Sequence, residues 1–264
     1  MQASVGDIIA IMEDQIAPPS QAEPWDHVGL CAGDRAWPAR RVWVALDPLA
    51  EVVEAALADK AGLLICHHPL LFAGIHGVDL STPAGRIIAS AISGKMAIYC
   101  AHTNLDKAAG GTTDVLSRRI GLSGRFGLDA SGPFLACVGA LPLETDLCTL
   151  AALVKKQVGA QAVRFAGPPG LRVKRAAVCA GSGASLIADF LASDAEVFIT
   201  GDLRYHDART IREHGKGCVD IGHFASEHLV VEPLAEALGV LAAGHGFEVS
   251  IVPCCLEKEP FTCI

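Results

Sequence analysis

Long apolar runs are missing from this chain. No stretch reaches 18 uncharged apolar residues, so the sequence offers no candidate transmembrane helix. Residues 1–19 carry Asp7, Glu13 and Asp14, whereas a secretory signal carries lysine or arginine near its start. We therefore expect a cytoplasmic protein with no membrane partner.

Clustered positive charge is scarce as well. The chain has 21 lysines and arginines against 29 aspartates and glutamates, which gives a formal net charge of −8. The basic residues are scattered, and the densest group lies at residues 172–175. Because phosphate backbones are bound by clustered lysine and arginine, this pattern argues against nucleic acid as a partner.

Cys-x-x-Cys spacing is absent among the ten cysteines. That absence removes the usual signature of a zinc site built from thiolates. Several cysteines, including Cys66 and Cys100, lie in apolar segments, where reduced and packed thiols are the expected state.

What remains is the composition of a compact α/β protein. The 264 residues are 51% hydrophobic and 19% charged, and their number suits one large domain or two ordinary ones. We favour two lobes, with a boundary in the glycine-rich stretch at residues 121–132. The predicted first lobe is residues 1–124, with residues 230–264 packing back on it. The predicted second lobe is residues 125–229, with no inserted domain.

A short apolar run that ends in two histidines is the most informative stretch. Residues 62–66 predict a strand buried on both faces, and His67 and His68 follow at its carboxyl end before Pro69 redirects the chain. Open α/β sheets bind ligands at this end of their strands. The pair is explained either by one loop-capping and one solvated histidine, or by a metal ion that uses both lone pairs.

Two other predicted strands of the first lobe also end in polar side chains. Asp47 ends one strand, and His102 and Asp106 follow another. Because the carboxyl ends of parallel strands share one edge of a sheet, we expect these side chains near His67 and His68.

The second lobe offers His223 and Glu227, which are four residues apart and share one face of a predicted helix. Such a pair also occurs on solvated helix faces. Imidazoles and carboxylates together suit Zn, Fe, Mn or Co, and the set is larger than one tetrahedral ion needs. Two divalent ions bridged by Glu227 are the economical arrangement. Their charge of about +4 exceeds about −2 from Asp106 and Glu227, which favours an anionic substrate.

Five motifs resemble those of the GTP cyclohydrolase 1 type 2 homologues, also called NGG-interacting-factor-three-like dinuclear metal proteins. They are Trp25-Asp-His-Val-Gly-Leu30, Cys66-His-His-Pro-Leu-Leu-Phe72, Ala101-His-Thr-Asn-Leu-Asp106, Gly201-Asp-Leu-Arg-Tyr-His-Asp207 and Gly222-His-Phe-Ala-Ser-Glu227. The ending Glu259-Pro-Phe261 is similar too. One departure is His27, because the family usually has asparagine there.

The resemblance implies a ligand set and two histidines that line the site. The implied metal ligands are His67, His68, Asp106, His223 and Glu227, and the lining residues, either of which would be the catalytic proton shuttle, are His102 and His206. The implied fold is two α/β lobes with mixed sheets flanked by helices and a dinuclear metal site in the cleft between them. The implied assembly is a toroidal homohexamer.

Two functions follow from these observations. The leading hypothesis is a metal-dependent hydrolase, cyclohydrolase-like or phosphoesterase-like, that acts on a small nucleotide or phosphorylated substrate. The alternative is a protein for metal storage, metal delivery or regulatory interaction that turns nothing over. The sequence leaves open the native metal, the substrate and any partner protein.

Overall fold

The chain forms two compact α/β units. The computed structural model describes residues 1–73, 75–128 and 134–263. Unit 1 comprises Met1–Ala109 and Val231–Glu257, and unit 2 comprises Gly110–Val230 and Lys258–Ile264. Each unit has one mixed sheet with helices, so the predicted fold class is confirmed.

Eleven strands and ten α-helices are found in the described residues. The strands are β1 (Gly29–Ala32), β2 (Arg41–Ala45), β3 (Leu63–Cys66), β4 (Ala97–Cys100), β5 (Ser123–Gly127), β6 (Ala136–Asp146), β7 (Arg164–Ala166), β8 (Arg172–Ser182), β9 (Val197–Gly201), β10 (Gly217–Asp220) and β11 (Ser250–Pro253). The helices are α1 (Val5–Ile11), α2 (Ala50–Ala58), α3 (Pro83–Ser93), α4 (Thr103–Asp106), α5 (Thr112–Ile120), α6 (Leu147–Val158), α7 (Ile187–Ala192), α8 (Tyr205–Glu213), α9 (His223–Glu227) and α10 (Val231–Gly244). Within this described part, no helix has both the length and the apolar character needed to cross a bilayer.

The sheet of unit 1 has the strand order β1-β4-β3-β2-β11. The four strands from β4 to β11 are parallel, and β1 runs antiparallel at one edge. All four residues of β3 are buried, as a central strand covered on both faces requires. In the register, Cys66 lies opposite Ala45 on one side and Cys100 on the other, so β2, β3 and β4 end at the same edge. The shared edge predicted for these strands is confirmed.

Unit 2 has a six-stranded sheet in the order β5-β6-β8-β9-β10-β7. Strands β8, β9 and β10 are parallel, and the remaining neighbours pair antiparallel. One face of this sheet packs against α5 and α6 through a cluster that includes Leu116, Leu150, Val178 and Ile199, all almost completely buried. A second cluster, which includes Ala177, Cys179, Phe190 and Phe198, buries the alternate residues of β8 and β9. Burial on both faces explains why residues 176–180 of β8 and all of β9 lack charged residues.

The structure adds one strand that the sequence analysis did not single out, and it divides the chain at other residues. Strand β1 pairs with β4 through an irregular register between Leu30 and Ala32. The predicted boundary left residues 110–124 in the first lobe, whereas α5 and the start of β5 lie in unit 2, because α5 packs on β6, β8 and α6. The predicted return segment 230–264 differs too, because Val231–Glu257 belongs to unit 1 and Lys258–Ile264 is grouped with unit 2. Residues 129–132 of the predicted boundary stretch lie outside the described residues.

Candidate metal centre

The carboxyl edge of the unit 1 sheet positions the two adjacent histidines. Their backbone N–H groups continue the ladder beyond β3, because His67 N donates to Ala45 O at 3.2 Å and His68 N donates to Leu46 O at 2.9 Å. Both imidazoles are therefore anchored to rigid parallel strands, which hold side chains more firmly than loops do.

His67 is the most buried histidine of this edge, with 1% of its surface exposed. Its Nδ1 lies 3.0 Å from Ala101 O, and since a carbonyl oxygen only accepts, Nδ1 is the donor. Its Nε2 then faces Asp106 Oδ1 at 3.5 Å. A neutral imidazole lone pair and a carboxylate repel each other at this distance, so a proton or a metal cation is needed between them.

The other two histidines of this edge, His68 and His102, each contact a carboxylate through Nδ1. His68 Nδ1 lies 2.8 Å from Asp47 Oδ1, and His102 Nδ1 lies 3.0 Å from Asp26 Oδ1. Fixing Nδ1 in this way orients the ring and makes Nε2 the atom that can bind a metal, as carboxylate–histidine pairs do in metalloproteins.

These three imidazoles converge. The ring centroids of His67 and His68 are 4.9 Å apart, and the His102 centroid lies 5.2 Å and 5.8 Å from them. One nitrogen of each ring can be chosen so that all three lie within 4.8 Å of one another, a spacing that one metal ion could span. The group could therefore hold a metal ion.

Asp26 is a candidate positioning residue that the sequence interpretation did not assign. Its side chain is 1% exposed, and Oδ2 accepts from both the N–H and the hydroxyl of Thr103, at 2.9 Å and 2.6 Å. Burial raises the pKa of this carboxyl, but the hydrogen bonds from Thr103 and His102 outweigh burial, so its pKa lies below the ordinary value. An ionised Asp26 thus accepts a hydrogen bond from His102 Nδ1 and orients the ring.

Unit 2 supplies the second pair of candidate ligands on the short helix α9. His223 Nε2 lies 2.9 Å from Glu227 Oε2, as the four-residue spacing predicts, and Glu227 is only 4% exposed. On its other side, His223 Nδ1 lies 2.7 Å from Asp202 Oδ2. Two carboxylates therefore flank one imidazole, which favours a positive charge at this site.

The backbone at the end of β8 lies close to the Glu227 carboxylate. Gly181, at the end of β8, has a φ of +62°, and a Cβ there would lie 2.0 Å from Glu227 Oε1. Gly181 N donates to Ser226 Oγ at 2.8 Å, and the Ser226 hydroxyl donates to His223 O at 2.6 Å. The absence of a side chain at Gly181 therefore leaves room for the Glu227 carboxylate.

His206 and His27 are exposed, and neither belongs to a candidate metal-binding group within the described residues. His206 is exposed in the first turn of α8, with its ring centroid 5.2 Å from that of Tyr205, and it joins no candidate metal-binding group within the described residues. His27 is exposed, and its backbone N–H donates to Asp26 Oδ1 at 2.9 Å. This contact uses the main chain only, so it does not require asparagine at position 27.

The donor set is made of imidazoles and carboxylates. Although Cys66 and Cys100 lie beside the histidine edge, they are buried in the described structure, and burial raises the pKa of the Cys66 thiol well above its ordinary value. A neutral thiol is a poor metal ligand. Nitrogen and oxygen donors suit Zn, Fe, Mn or Co better than a soft metal.

The comparisons with known proteins agree on one family. A model of the Duf34/NIF3 (NGG1p interacting factor 3) family matches residues 3–260. A GTP cyclohydrolase 1 type 2 homolog of Clostridium perfringens is 35% identical over 88% of this chain and 90% of its own length. A Streptomyces coelicolor protein of the same name is 32% identical over 94% of this chain and 90% of its own length.

Solved structures show the same fold. A Bacillus cereus protein related to NIF3 superposes with a TM-score of 0.94 at 23% identity, with 99% of each chain covered. A hypothetical protein of Staphylococcus aureus superposes with a TM-score of 0.93 at 25% identity, with both chains fully covered. The family match over nearly the whole chain and the sequence identities above 30% lead to one conclusion: this chain belongs to the Duf34/NIF3 family.

Proposed function

We propose that this protein is a metal-dependent hydrolase with a dinuclear centre that acts on a small nucleotide or phosphorylated substrate. One observation carries the proposal: four histidines share the same arrangement, with Nδ1 held by a carbonyl or a carboxylate and Nε2 as the atom suited to bind metal. These histidines are His67, His68, His102 and His223. The relatives named GTP cyclohydrolase 1 type 2 homolog add support for nucleotide chemistry.

The proposed ligands are the five residues that the family resemblance implies. The ligands are His67, His68, Asp106, His223 and Glu227, with the Glu227 carboxylate as the bridge between two divalent ions. Five ligands exceed what one tetrahedral ion requires, and a carboxylate is the usual bridge between two ions. The proposed ions are Zn, Fe, Mn or Co.

Two divalent ions would lower the pKa of a water and stabilise the negative charge that develops on the substrate. The chain itself supplies proton transfer and orientation. His102, held at Nδ1 by Asp26, presents Nε2 as a proton shuttle, and the exposed His206 is the second proposed catalytic histidine.

Metal content per chain tests the centre directly. We expect elemental analysis of protein purified without added metal to find two ions in wild type. Glu227→Gln should lower the occupancy of both ions, because a bridge serves both, and His68→Ala should lower at least one. His214→Ala removes an exposed histidine of α8's carboxyl end and is the matched control, which should keep both ions. Wild-type protein without bound metal, or Glu227→Gln with unchanged content, would refute the dinuclear centre.

Turnover is tested separately on metal-loaded protein. A panel of nucleoside triphosphates and phosphomonoesters should reveal a substrate whose hydrolysis is lost in His68→Ala and kept in His214→Ala. Release of metal to an acceptor chelator, together with no turnover across the panel, would instead support the metal-delivery alternative.

We also propose that the protein assembles as a homohexamer, on the basis of the family resemblance. Sedimentation velocity and native mass spectrometry should give six chains per particle. A monomer or dimer at micromolar concentration would contradict this assembly.

A further inference from the structure

Unit 2 contains a pocket that the proposed metal chemistry does not use. It lies beside the edge strand β7 and the helix α8, and its volume is about 770 Å³. Small-molecule sites in proteins typically have volumes of roughly 300–1,000 Å³. The pocket is therefore large enough for a cofactor-sized ligand.

Arginines dominate the charge of this pocket. Its lining includes four, Arg164, Arg204, Arg209 and Arg212, against two acidic residues. Such a concentration is unexpected in a chain whose net charge is −8. Arg204, Arg209 and Arg212 lie at or on α8, and Arg164 comes from β7. Guanidinium groups are the side chains best suited to bind phosphate oxygens in pairs.

The two acidic residues of the pocket are already engaged. Asp220 pairs with Arg164 and also accepts from Leu203 N at 3.2 Å and from Gly222 N at 3.0 Å. Glu213 pairs with Arg209 at 2.9 Å, one helical turn away.

Arg164 pairs with the buried Asp220, and Arg204 pairs with Asp207 at 3.0 Å, so Arg209 and Arg212 are the arginines most available to a ligand. The side chains of Arg209 and its partner Glu213 are 57% and 63% exposed. Because exposed ion pairs contribute little, a phosphate can compete for Arg209. Arg212 is exposed too, and no ion pair to it is found in the described part of the chain.

Two exposed aromatic rings line the same pocket. Phe165 on β7 is 39% exposed, and Tyr205 at the start of α8 is 68% exposed. The Arg209 guanidinium lies 5.9 Å from the centre of the Tyr205 ring, so a positively charged group and an aromatic ring are neighbours in the pocket. Exposed aromatic faces of this kind bind planar bases by stacking.

We propose that this pocket binds a mononucleotide, with its phosphates on the guanidiniums of Arg209 and Arg212 and its base against Tyr205 and Phe165. The site is lined by residues of unit 2, none of them a proposed metal ligand, and binding to it does not depend on hydrolysis.

Binding to metal-depleted protein tests this proposal independently of the metal centre. Isothermal titration of chelator-treated wild type with GTP should give saturable binding, and inorganic triphosphate should bind at least about tenfold more weakly because it has no base. The double variant Arg209→Glu, Arg212→Glu should lose at least about tenfold in GTP affinity. Tyr205→Ala should weaken GTP binding while leaving triphosphate binding unchanged.

Arg119→Glu is the matched control, since it reverses the charge of an exposed arginine on α5, outside the pocket, and it should bind GTP as wild type does. Circular dichroism confirms that each variant is folded. Four results would overturn the proposal. The first two are unchanged GTP binding in the double variant and equal affinity of wild type for GTP and triphosphate. The third is tighter binding of a single-stranded RNA oligomer than of GTP. The fourth is a changed sedimentation coefficient in the double variant, which would make the pocket a subunit contact.

Discussion

The Asp26 carboxylate and the His102 imidazole form a hydrogen-bonded pair, with Asp26 Oδ1 3.0 Å from His102 Nδ1. Asp26 precedes the edge strand β1, and His102 follows β4, so the antiparallel pairing of these strands brings the two together. The pair gives the proposed proton shuttle a fixed orientation.

Asp26→Asn should lower the free energy of unfolding at neutral pH by about 1–3 kcal/mol, because the amide replaces a charged acceptor of buried hydrogen bonds. The folded pKa of Asp26 lies below its ordinary value of 3.8. Its ionised form therefore adds stability above pH 3.8, and this contribution is lost as the pH falls through the lower folded pKa.

Urea denaturation from pH 7 to pH 3 measures this effect. The difference between wild type and Asp26→Asn should shrink at the acidic end. Asp189→Asn, which removes an exposed carboxylate, is the control. A difference that stays constant over the whole range would contradict the pKa assignment.

Asp202→Asn tests the carboxylate behind His223. Asp202 has a φ of +56°, a conformation that asparagine also tolerates, so the substitution changes the charge without straining the backbone. We expect metal affinity to fall by about 10- to 100-fold, as is usual when a carboxylate behind a ligating histidine is lost. Competition with a fluorescent chelator measures it, and Asp194→Asn, which is also exposed, serves for comparison. Wild-type affinity in Asp202→Asn would mean that His223 binds no metal.

Gly181→Ala should displace the Glu227 carboxylate. A Cβ at this position would lie 2.0 Å from Glu227 Oε1, and the positive φ adds strain of about 1–3 kcal/mol. Gly159→Ala provides a control for strain alone, because Gly159 has a φ of +72° and nothing within 4 Å of its Cβ position. Both variants should melt at lower temperature, but only Gly181→Ala should also lose bound metal. Equal metal content in the two would contradict the proposed role of Glu227 as a metal ligand.

Glu257→Ala should destabilise unit 1. The buried Glu257 carboxylate accepts from Leu46 N at 2.9 Å and from Asp47 N at 2.7 Å, at the edge where Asp47 holds His68. Each buried N–H left without an acceptor costs about 1–3 kcal/mol. The urea midpoint should fall clearly, and Glu257→Gln should restore part of it, since one oxygen remains. Glu248→Ala at an exposed position should leave the midpoint near that of wild type. A similar loss in both alanine variants would rule out this role.

The sequence by itself determined the parallel strands of unit 1 and the residues at their ends. Apolar runs of four or five residues followed by histidine or aspartate are local patterns, so β2, β3 and β4 and their shared edge could be predicted without coordinates. The spacing of His223 and Glu227 likewise placed both on one helix face, because that relation depends only on helical periodicity.

Other features were decided by contacts between distant segments. Strand β1 is a short apolar segment after a turn-rich stretch, and its place in the sheet is set by its pairing with β4. The partners Asp26 and Asp202 were present in quoted motifs, but nothing local shows which histidine each one holds. Glu257 lies 211 residues from the amide of Leu46 that it binds.

The basic pocket of unit 2 depended most completely on tertiary structure. Arg204, Arg209 and Arg212 lie in one short stretch at α8, but only the fold places β7, with Arg164 and Phe165, beside them. The charge pattern of the sequence argued only against nucleic acid as a partner. The periodicity of apolar residues predicts which face of a helix or strand is buried, because that pattern involves only residues close together in the sequence. Which polar side chains meet is set by the order and register of strands, and only the folded chain contains that information.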